Sequence, residues 1–195
     1  MKDLPLFPLH AVLYPGGRFQ LRVFEKRYMD MVTTCLKTEQ PFGICLIRAG
    51  DEVGAAAQAH SIGTLAHLVE WEMSQPGILD ISVRGGQRFR THATRACPDQ
   101  LLRGDIEPLP EEPREALSAA QRQLGALLAR FLTDFGEQYY FPPLRLDDAV
   151  WVAYRLAELL PAPNALKQRV LEQDGAEHKL DLLAAALGSE QRGLA

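Results

Sequence analysis

Apolar and polar side chains alternate along most of the first 110 residues, which is the two-residue period of half-buried β-strands. The strand-like stretches lie at residues 4–9, 19–24, 43–47, 62–73, 79–83, 89–93 and 101–108. Turn-forming residues separate neighbouring stretches, with Pro76 and Gly77 before the stretch at 79–83 and Gly85 and Gly86 after it. Strands at this spacing predict an antiparallel sheet that curls into a small barrel.

The stretch at residues 62–73 divides its side chains between two faces. By the strand period, one face carries Leu65, His67, Val69, Trp71 and Met73. Glu70 and Glu72 fall on the other face. Because its neighbours on the first face are apolar, we expect His67 to be a hydrogen-bonded core residue.

A helical period interrupts the strands once. From Glu25 to about Lys37 the apolar side chains recur every three or four residues, at Tyr28, Met31, Val32 and Cys35. This spacing predicts one helix between the second and third strands.

The composition changes at three prolines within six residues, Pro108, Pro110 and Pro113. Beyond them the period is helical. The first helix is expected to carry its apolar stripe from Leu117 to Phe135 and to stop at Gly136. We therefore predict a β-rich subdomain over residues 1–110 and an all-helical subdomain over residues 111–195.

Two further signals place helix ends in the second half. Asp147 or Asp148 is positioned to cap the helix that carries Trp151. A last helix is expected to begin at Asp174 and to be closed by Gly188.

Composition excludes several functional classes. The 195-residue chain has a net charge of -4, so broad electrostatic binding to nucleic acid is not expected. Three cysteines without metal-ligand spacing predict reduced thiols and no metal site. The N-terminus does not have the pattern of a signal peptide, and no apolar run is long enough for a membrane helix. We expect a soluble, cytoplasmic protein.

An ordered series of short motifs points to a family. Tyr14-Pro-Gly, Phe24-Glu-Lys-Arg-Tyr, Ile62-Gly-Thr and Val83-Arg-Gly-Gly-Gln-Arg-Phe resemble the landmarks of the LON substrate-binding domain, the N-terminal domain of ATP-dependent Lon proteases. The helical half is similar too, from Val170-Leu-Glu-Gln-Asp to the following leucine. His178 and Lys179 stand where the family usually has an arginine.

The resemblance implies an α+β fold, with a PUA-like antiparallel β pseudo-barrel followed by a helical bundle. It also implies binding of unfolded or flexible polypeptides or of a protein partner. The family's ATPase and Ser–Lys peptidase lie in other domains, and this chain has no Gly-x-x-x-x-Gly-Lys loop and no Gly-x-Ser-x-Gly elbow. We therefore expect a non-catalytic binding module with no cofactor.

An aromatic loop is the strongest candidate for the binding surface. Tyr139, Tyr140 and Phe141 precede two prolines, and Trp151 follows on the next helix. Aromatic side chains supply large contact areas at low entropic cost, as interfaces require. The alternative is that these rings fill the junction of barrel and bundle. Peptide contact is expected in a groove near that junction, or by addition of a strand to an exposed sheet edge.

An arginine cluster supports a second interpretation. Arg84, Arg88 and Arg90 surround the predicted Gly85 turn, where a PUA-like barrel could bind a nucleic acid or a nucleotide through its phosphates. Stacking also needs an exposed aromatic side chain, and Phe89 points away from Arg88 and Arg90 by the strand period. A solvated face, partly paired with Glu70 and Glu72, is the structural alternative.

Glu25 and Arg27 flank the predicted start of the first helix. They are either a charged recognition pair or structural residues. In the structural interpretation Glu25 bonds free backbone N–H groups and Arg27 pairs with a carboxylate across the barrel.

Overall fold

A computed structural model describes residues 1–135 and 140–193. The chain divides into two compact units, Met1–Pro110 and Glu111–Ala195. The first unit contains the β-sheet and one helix, and the second contains four helices within its described residues.

The first unit is built from six strands and one helix. In chain order these are β1 (Leu4–Leu9), β2 (Arg18–Val23), α1 (Lys26–Thr38), β3 (Phe42–Ala49), β4 (Gln58–Gln75), β5 (Ile78–Ala96) and β6 (Leu102–Pro108). The strand order is β2-β5-β4-β3-β1-β6, and β5 also pairs with β6. Five strands therefore form a ring, and β2 pairs with the first part of β5, ahead of the residues that pair with β6. The pairs are antiparallel except β1 with β3, which is parallel.

Helix α1 covers one part of the barrel core. Its buried side chains Tyr28, Met31, Val32 and Cys35 belong to the same apolar cluster as Phe7 of β1. The rings of Phe7 and Tyr28 stack with centroids 3.9 Å apart. The apolar side chains whose spacing predicts this helix are therefore the ones that the helix buries.

The expected turn at Gly85 and Gly86 is wrong, because β5 runs unbroken through both residues. Gly85 exchanges backbone hydrogen bonds with the loop before β2: Gly16 N donates to Gly85 O at 2.7 Å, and Gly85 N donates to Gly17 O at 2.9 Å. A Cβ atom at Gly85 would lie 2.0 Å from the carbonyl oxygen of Tyr14. The glycine permits a close approach of two backbones instead of a reversal of the chain.

The expected single face from Leu65 to Met73 is also wrong. The register of β4 against β5 shifts between Leu68 and Glu70. Such a bulge moves the following side chains to the opposite face, so Trp71 shares the face of Leu68 and not that of His67. His67 precedes this shift, lies opposite Arg84 on the face away from Leu68, and is exposed instead of buried in the core.

The second unit consists of α2 (Arg122–Phe135), α3 (Ala149–Leu159), α4 (Asn164–Glu172) and α5 (Ala176–Gly193). Helix α3 is buried at each residue from Ala149 to Ala157. None of the helices in the described part of the chain is long and apolar enough to cross a membrane. The predicted α+β fold, a pseudo-barrel followed by a helical region, is confirmed.

Two helix boundaries differ from the prediction. Helix α2 begins at Arg122, so Leu117 precedes it. Ser118 and Gln121 explain the late start: Ser118 N donates to Gln121 Oε1 at 3.0 Å, and Gln121 N donates to Ser118 Oγ at 3.3 Å. This reciprocal capping box fixes the first turn there. Helix α5 continues past Gly188 to Gly193, since a single glycine costs a helix only about 1 kcal/mol.

A buried ion pair joins the start of the second unit to α5. The Lys179 ammonium, which is fully buried, donates to Glu112, and the hydroxyl of Tyr154 donates to the same carboxylate. Gly175 N adds a third hydrogen bond at 3.1 Å. Lys179 thus forms an ion pair at a position where the resemblance leads us to expect an arginine.

Candidate functional site

The outer half of β4 carries a group of exposed apolar side chains. Trp71 and Met73 are each 58% exposed and Val69 is 46% exposed; we call these three residues the hairpin patch. Trp71 pairs with Ile81 of β5 and so lies on the same face of the sheet. The sheet face that is buried in the core at Ile81 is thus exposed to solvent at Trp71. Large apolar side chains grouped in this way mark a surface for a partner.

The backbone beside the hairpin patch is a sheet edge. The last pair between β3 and β4 joins Phe42 to Ala66, and among the described residues the segment 67–75 pairs only with β5. The N–H and C=O groups on the other side of this segment face no strand. An exposed edge of this length is a template for one more strand.

The opposite face of the same hairpin is polar. Arg18 of β2 reaches across β5 to Glu70 with an N–O distance of 2.9 Å, and Arg22 pairs with Asp80 at 2.9 Å. Hydrogen bonds from Arg22 and Ser74 hold the pKa of the Asp80 carboxyl below its ordinary value. A shallow concavity of about 620 Å³ lies on the three strands, lined in part by Gln20, Glu72 and Ser82.

Two groups in this concavity have no protein partner in the described residues. The Ser82 hydroxyl is buried without a hydrogen bond, and the residue is 5% exposed. The exposed carboxylate of Glu72 makes no ion pair, unlike its neighbours Glu70 and Asp80. In sheet register Glu70 lies opposite Ser82, and Glu72 lies opposite Asp80. The concavity therefore presents one uncompensated negative charge and one unused hydroxyl.

The aromatic candidates are less accessible than the hairpin patch. Tyr139 lies outside the described residues. Tyr140 is buried, Phe141 is partly buried, and Trp151 is 9% exposed with the Arg155 guanidinium 5.8 Å from its ring centroid. In this structure Tyr140 and Trp151 offer little area to a partner.

Sequence reasoning missed the hairpin patch because the strand period assigned Trp71 and Met73 to a half-buried face. One signal was present in the sequence. The stretch at 62–73 is about twice as long as an average strand, so its end is expected to extend beyond the strands beside it.

The three arginines do not form one surface. Arg88 is 4% exposed, whereas Arg84 and Arg90 are exposed. Arg84 and Arg90 are six residues apart along β5, which separates their Cα atoms by about 20 Å. Arg88, the middle arginine of the predicted nucleic-acid patch, is therefore not accessible to a ligand in solution.

Glu25 and Arg27 act as structural residues that hold loops together. Arg27 is buried, and its guanidinium donates to Gln100 O at 2.8 Å and to Glu25 Oε1 at 3.1 Å. Glu25 Oε2 accepts a hydrogen bond from Gly54 N at 3.3 Å, and its side chain does not cap α1. The pair thus connects the start of α1 to two loops that follow β3 and β5.

The ionisable groups of the first unit form no metal site: over the residues that the structure describes, no three His, Cys, Asp or Glu side chains are grouped to hold an ion. Burial raises the pKa of the Cys45 thiol to about 12, which keeps it protonated and unreactive. Tyr28 also has its pKa raised to about 12 by burial. Neither group is poised for acid–base or nucleophilic chemistry.

Comparison with known proteins places this barrel and its helices in a family. The family model described as the ATP-dependent protease La (LON) substrate-binding domain matches residues 3–187. The chain belongs to this family. A crystal structure of a Lon N-terminal domain protein from Xanthomonas campestris is 34% identical, with a TM-score of 0.79 over 95% of this chain and 98% of that one.

More distant Lon proteins agree with this assignment. The N-terminal domain of a Mycobacterium avium complex Lon protease shares the fold, with 17% identity and a TM-score of 0.62 over 93% of this LON domain and 96% of that chain. The Lon proteases of Brevibacillus choshinensis and Anaeromyxobacter dehalogenans are 26% and 25% identical over 99% and 96% of the chain. The chain covers 26% and 23% of those two proteins, about a quarter of their length.

Proposed function

We propose that this LON domain binds unfolded or extended polypeptide segments through the hairpin patch and the adjacent edge of β4. The observation that carries the proposal is the coincidence of three exposed apolar side chains with an unpaired stretch of backbone. Apolar contacts supply affinity for exposed hydrophobic residues, and main-chain hydrogen bonds supply it without regard to sequence. Unfolded chains expose both hydrophobic side chains and unpaired main-chain groups, whereas folded proteins bury most of them.

The proposal includes no catalytic step by this chain. The matched region, residues 3–187, is a substrate-binding domain in the family description. Its natural setting is proposed to be the cytoplasm, in keeping with three cysteines that form no disulfide.

A fluorescence titration tests the proposed surface directly. The chain has two tryptophans, of which Trp71 is exposed and Trp151 is buried. In a Trp151→Phe variant, the emission reports Trp71 alone. We expect a blue shift and saturation when a carboxymethylated, permanently unfolded protein is added, because Trp71 leaves water. No shift at tens of micromolar ligand would contradict the proposal.

Variants separate the hairpin patch from other exposed apolar residues. We expect the double change Trp71→Ser and Met73→Ser to weaken binding about tenfold or more, since central aromatic anchors dominate interfaces. Leu144→Ser is the matched control, because Leu144 is similarly exposed at 45% but lies in the second unit. Equal losses in both variants would remove the hairpin patch as the binding surface.

The aromatic loop stays a second proposed contact surface, with Phe141 as its partly exposed described member. If Phe141→Ser weakens binding and the hairpin double change does not, the loop is the site. Nucleic acid is not the proposed partner, because Arg88 is buried between Arg84 and Arg90.

A further inference from the structure

We infer that the polypeptide segments bound at the β4 edge are those in which apolar residues alternate with lysine or arginine. This inference rests on the proposed function and specifies its substrate class. It follows from the two faces of the hairpin, which an added strand would continue.

The first step is the alternation along β4. Trp71 pairs with Ile81 and lies on the apolar face, while Glu70 and Glu72 pair with Ser82 and Asp80 on the polar face. A strand added beside β4 sends successive side chains to these two faces. Every second residue of the incoming segment therefore falls on the face of Trp71, and the residues between them fall on the face of Glu70 and Glu72.

The second step is the charge of the polar face. Three arginines share this face: Arg18 and Arg22 on β2, and Arg84 on β5 opposite His67. Arg18 and Arg22 pair with Glu70 and Asp80. Arg84 lies four residues along β5 from Asp80, the residue opposite Glu72. Glu72, on the edge strand itself, makes no ion pair with any residue that the structure describes. An incoming lysine or arginine would supply the missing positive charge, whereas an incoming acidic residue would face a like charge.

The third step is the Ser82 hydroxyl. Ser82 occupies the central strand of this face, between Gln20 on β2 and Glu70 on β4. Within the described part of the chain the hydroxyl is buried without a partner, and the residue lines the same concavity as Glu72. A buried polar group without a hydrogen bond is costly, and the donor of a long basic side chain would satisfy it. The Ser82 hydroxyl therefore favours a lysine or arginine in the incoming segment over a small uncharged residue.

Four labelled nine-residue peptides test the inference on the unmodified protein by fluorescence anisotropy. Three alternate leucine with lysine, serine or glutamate, and the fourth has the leucines and lysines of the first in two blocks. We expect the alternating leucine–lysine peptide to bind about fivefold more tightly than the leucine–serine peptide, the upper range for one exposed ion pair. The leucine–glutamate and block peptides should bind more weakly than both.

Charge variants then assign the preference to Glu72. Glu72→Gln should reduce the advantage of lysine over serine, and Glu72→Lys should favour the glutamate peptide instead. Glu111→Gln is the matched control, because it removes an exposed glutamate from the second unit. Glu72 is exposed on an edge strand, so these changes leave the barrel core intact.

The outcomes distinguish the inference from the function on which it rests. If the serine and lysine peptides bind equally and Glu72→Lys does not change the order, the basic preference is overturned while polypeptide binding stands. Equal binding of the alternating and block peptides overturns strand addition. If none of the peptides binds and the unfolded protein also fails to bind, the proposed function itself is overturned.

Discussion

At the scale of single residues, Gly85 shows how one missing side chain holds two segments of the barrel together. Its backbone exchanges hydrogen bonds with Gly16 and Gly17, and the Tyr14 carbonyl oxygen occupies the space of a Cβ atom. Gly86, the next residue, meets mainly the imidazole of His67, which is an exposed side chain that can move. The two neighbouring glycines therefore differ in what a methyl group would displace.

We predict that Gly85→Ala destabilises the protein by about 2–4 kcal/mol, because a backbone segment must shift. Gly86→Ala should cost about 1 kcal/mol or less, because the His67 side chain can rotate away. Urea unfolding followed by circular dichroism measures both free energies. Similar values for the two variants would show that the Tyr14 contact does not constrain β5.

At the scale of elements, helix α3 illustrates how a local signal fixes a boundary. Asp148 Oδ1 accepts hydrogen bonds from Val150 N at 3.1 Å and from Trp151 N at 3.4 Å. These are two of the four N–H groups that a helix start leaves without a partner inside the helix. Asp147, one residue earlier, is exposed and does not cap the helix.

We predict that Asp148→Ala lowers the free energy of unfolding by about 1 kcal/mol or somewhat more, as expected for loss of a buried N-cap. Asp147→Ala should change it by less than about 0.5 kcal/mol. Asp148→Ser should retain most of the stability, since a serine hydroxyl also accepts from these groups. Equal losses for Asp147→Ala and Asp148→Ala would contradict the assigned cap.

At the scale of the whole molecule, one largely buried carboxyl, that of Glu158, makes stability depend on pH. Burial raises the pKa of Glu158 from 4.5 to about 7, while the positive charges of Arg155 and Lys167 oppose the rise. The Arg155 guanidinium lies 2.8 Å from Glu158 Oε1. Between these two pKa values the folded chain binds more protons than the unfolded chain. The free energy of unfolding contributed by this group is therefore highest below pH 4.5 and falls as the pH rises to 7.

We predict that Glu158→Gln flattens the dependence of stability on pH between 5 and 8. The rise in the Glu158 pKa corresponds to about 3 kcal/mol between pH 4.5 and pH 7. Urea unfolding of both proteins at pH 5 and pH 8 measures the difference. Glu177→Gln, at an exposed glutamate of α5, is the control. If the two variants keep the same slope as the unaltered chain, Glu158 titrates in its ordinary range.

Much of the fold could be predicted from local patterns in the sequence. Helix α1 follows from the recurrence of Tyr28, Met31 and Val32, because a helical period is a property of neighbouring residues. The cap at Asp147 or Asp148, which the structure assigns to Asp148, and the turn at Pro76 and Gly77 are equally local. The ordered motifs also led to the LON family, which the family match over residues 3–187 confirms.

The candidate site could not be predicted in the same way, because it depends on which strands end where. The register shift between Leu68 and Glu70 reverses the faces of β4, and no local pattern records it. The exposure of Trp71 depends on β3 pairing no further than Ala66, which is a relation between distant segments.

The amino-acid sequence alone determined the helical period of α1, a cap at Asp147 or Asp148, and the family, since these depend on residues close together in the chain or on ordered motifs. Only the tertiary structure decided that Gly85 is a contact between backbones and that Arg88 is buried. It also placed Trp71 in solvent beside an unpaired edge. The physical reason is that burial and strand pairing depend on partners far away in sequence, and a strand looks the same locally whether its neighbour continues or stops.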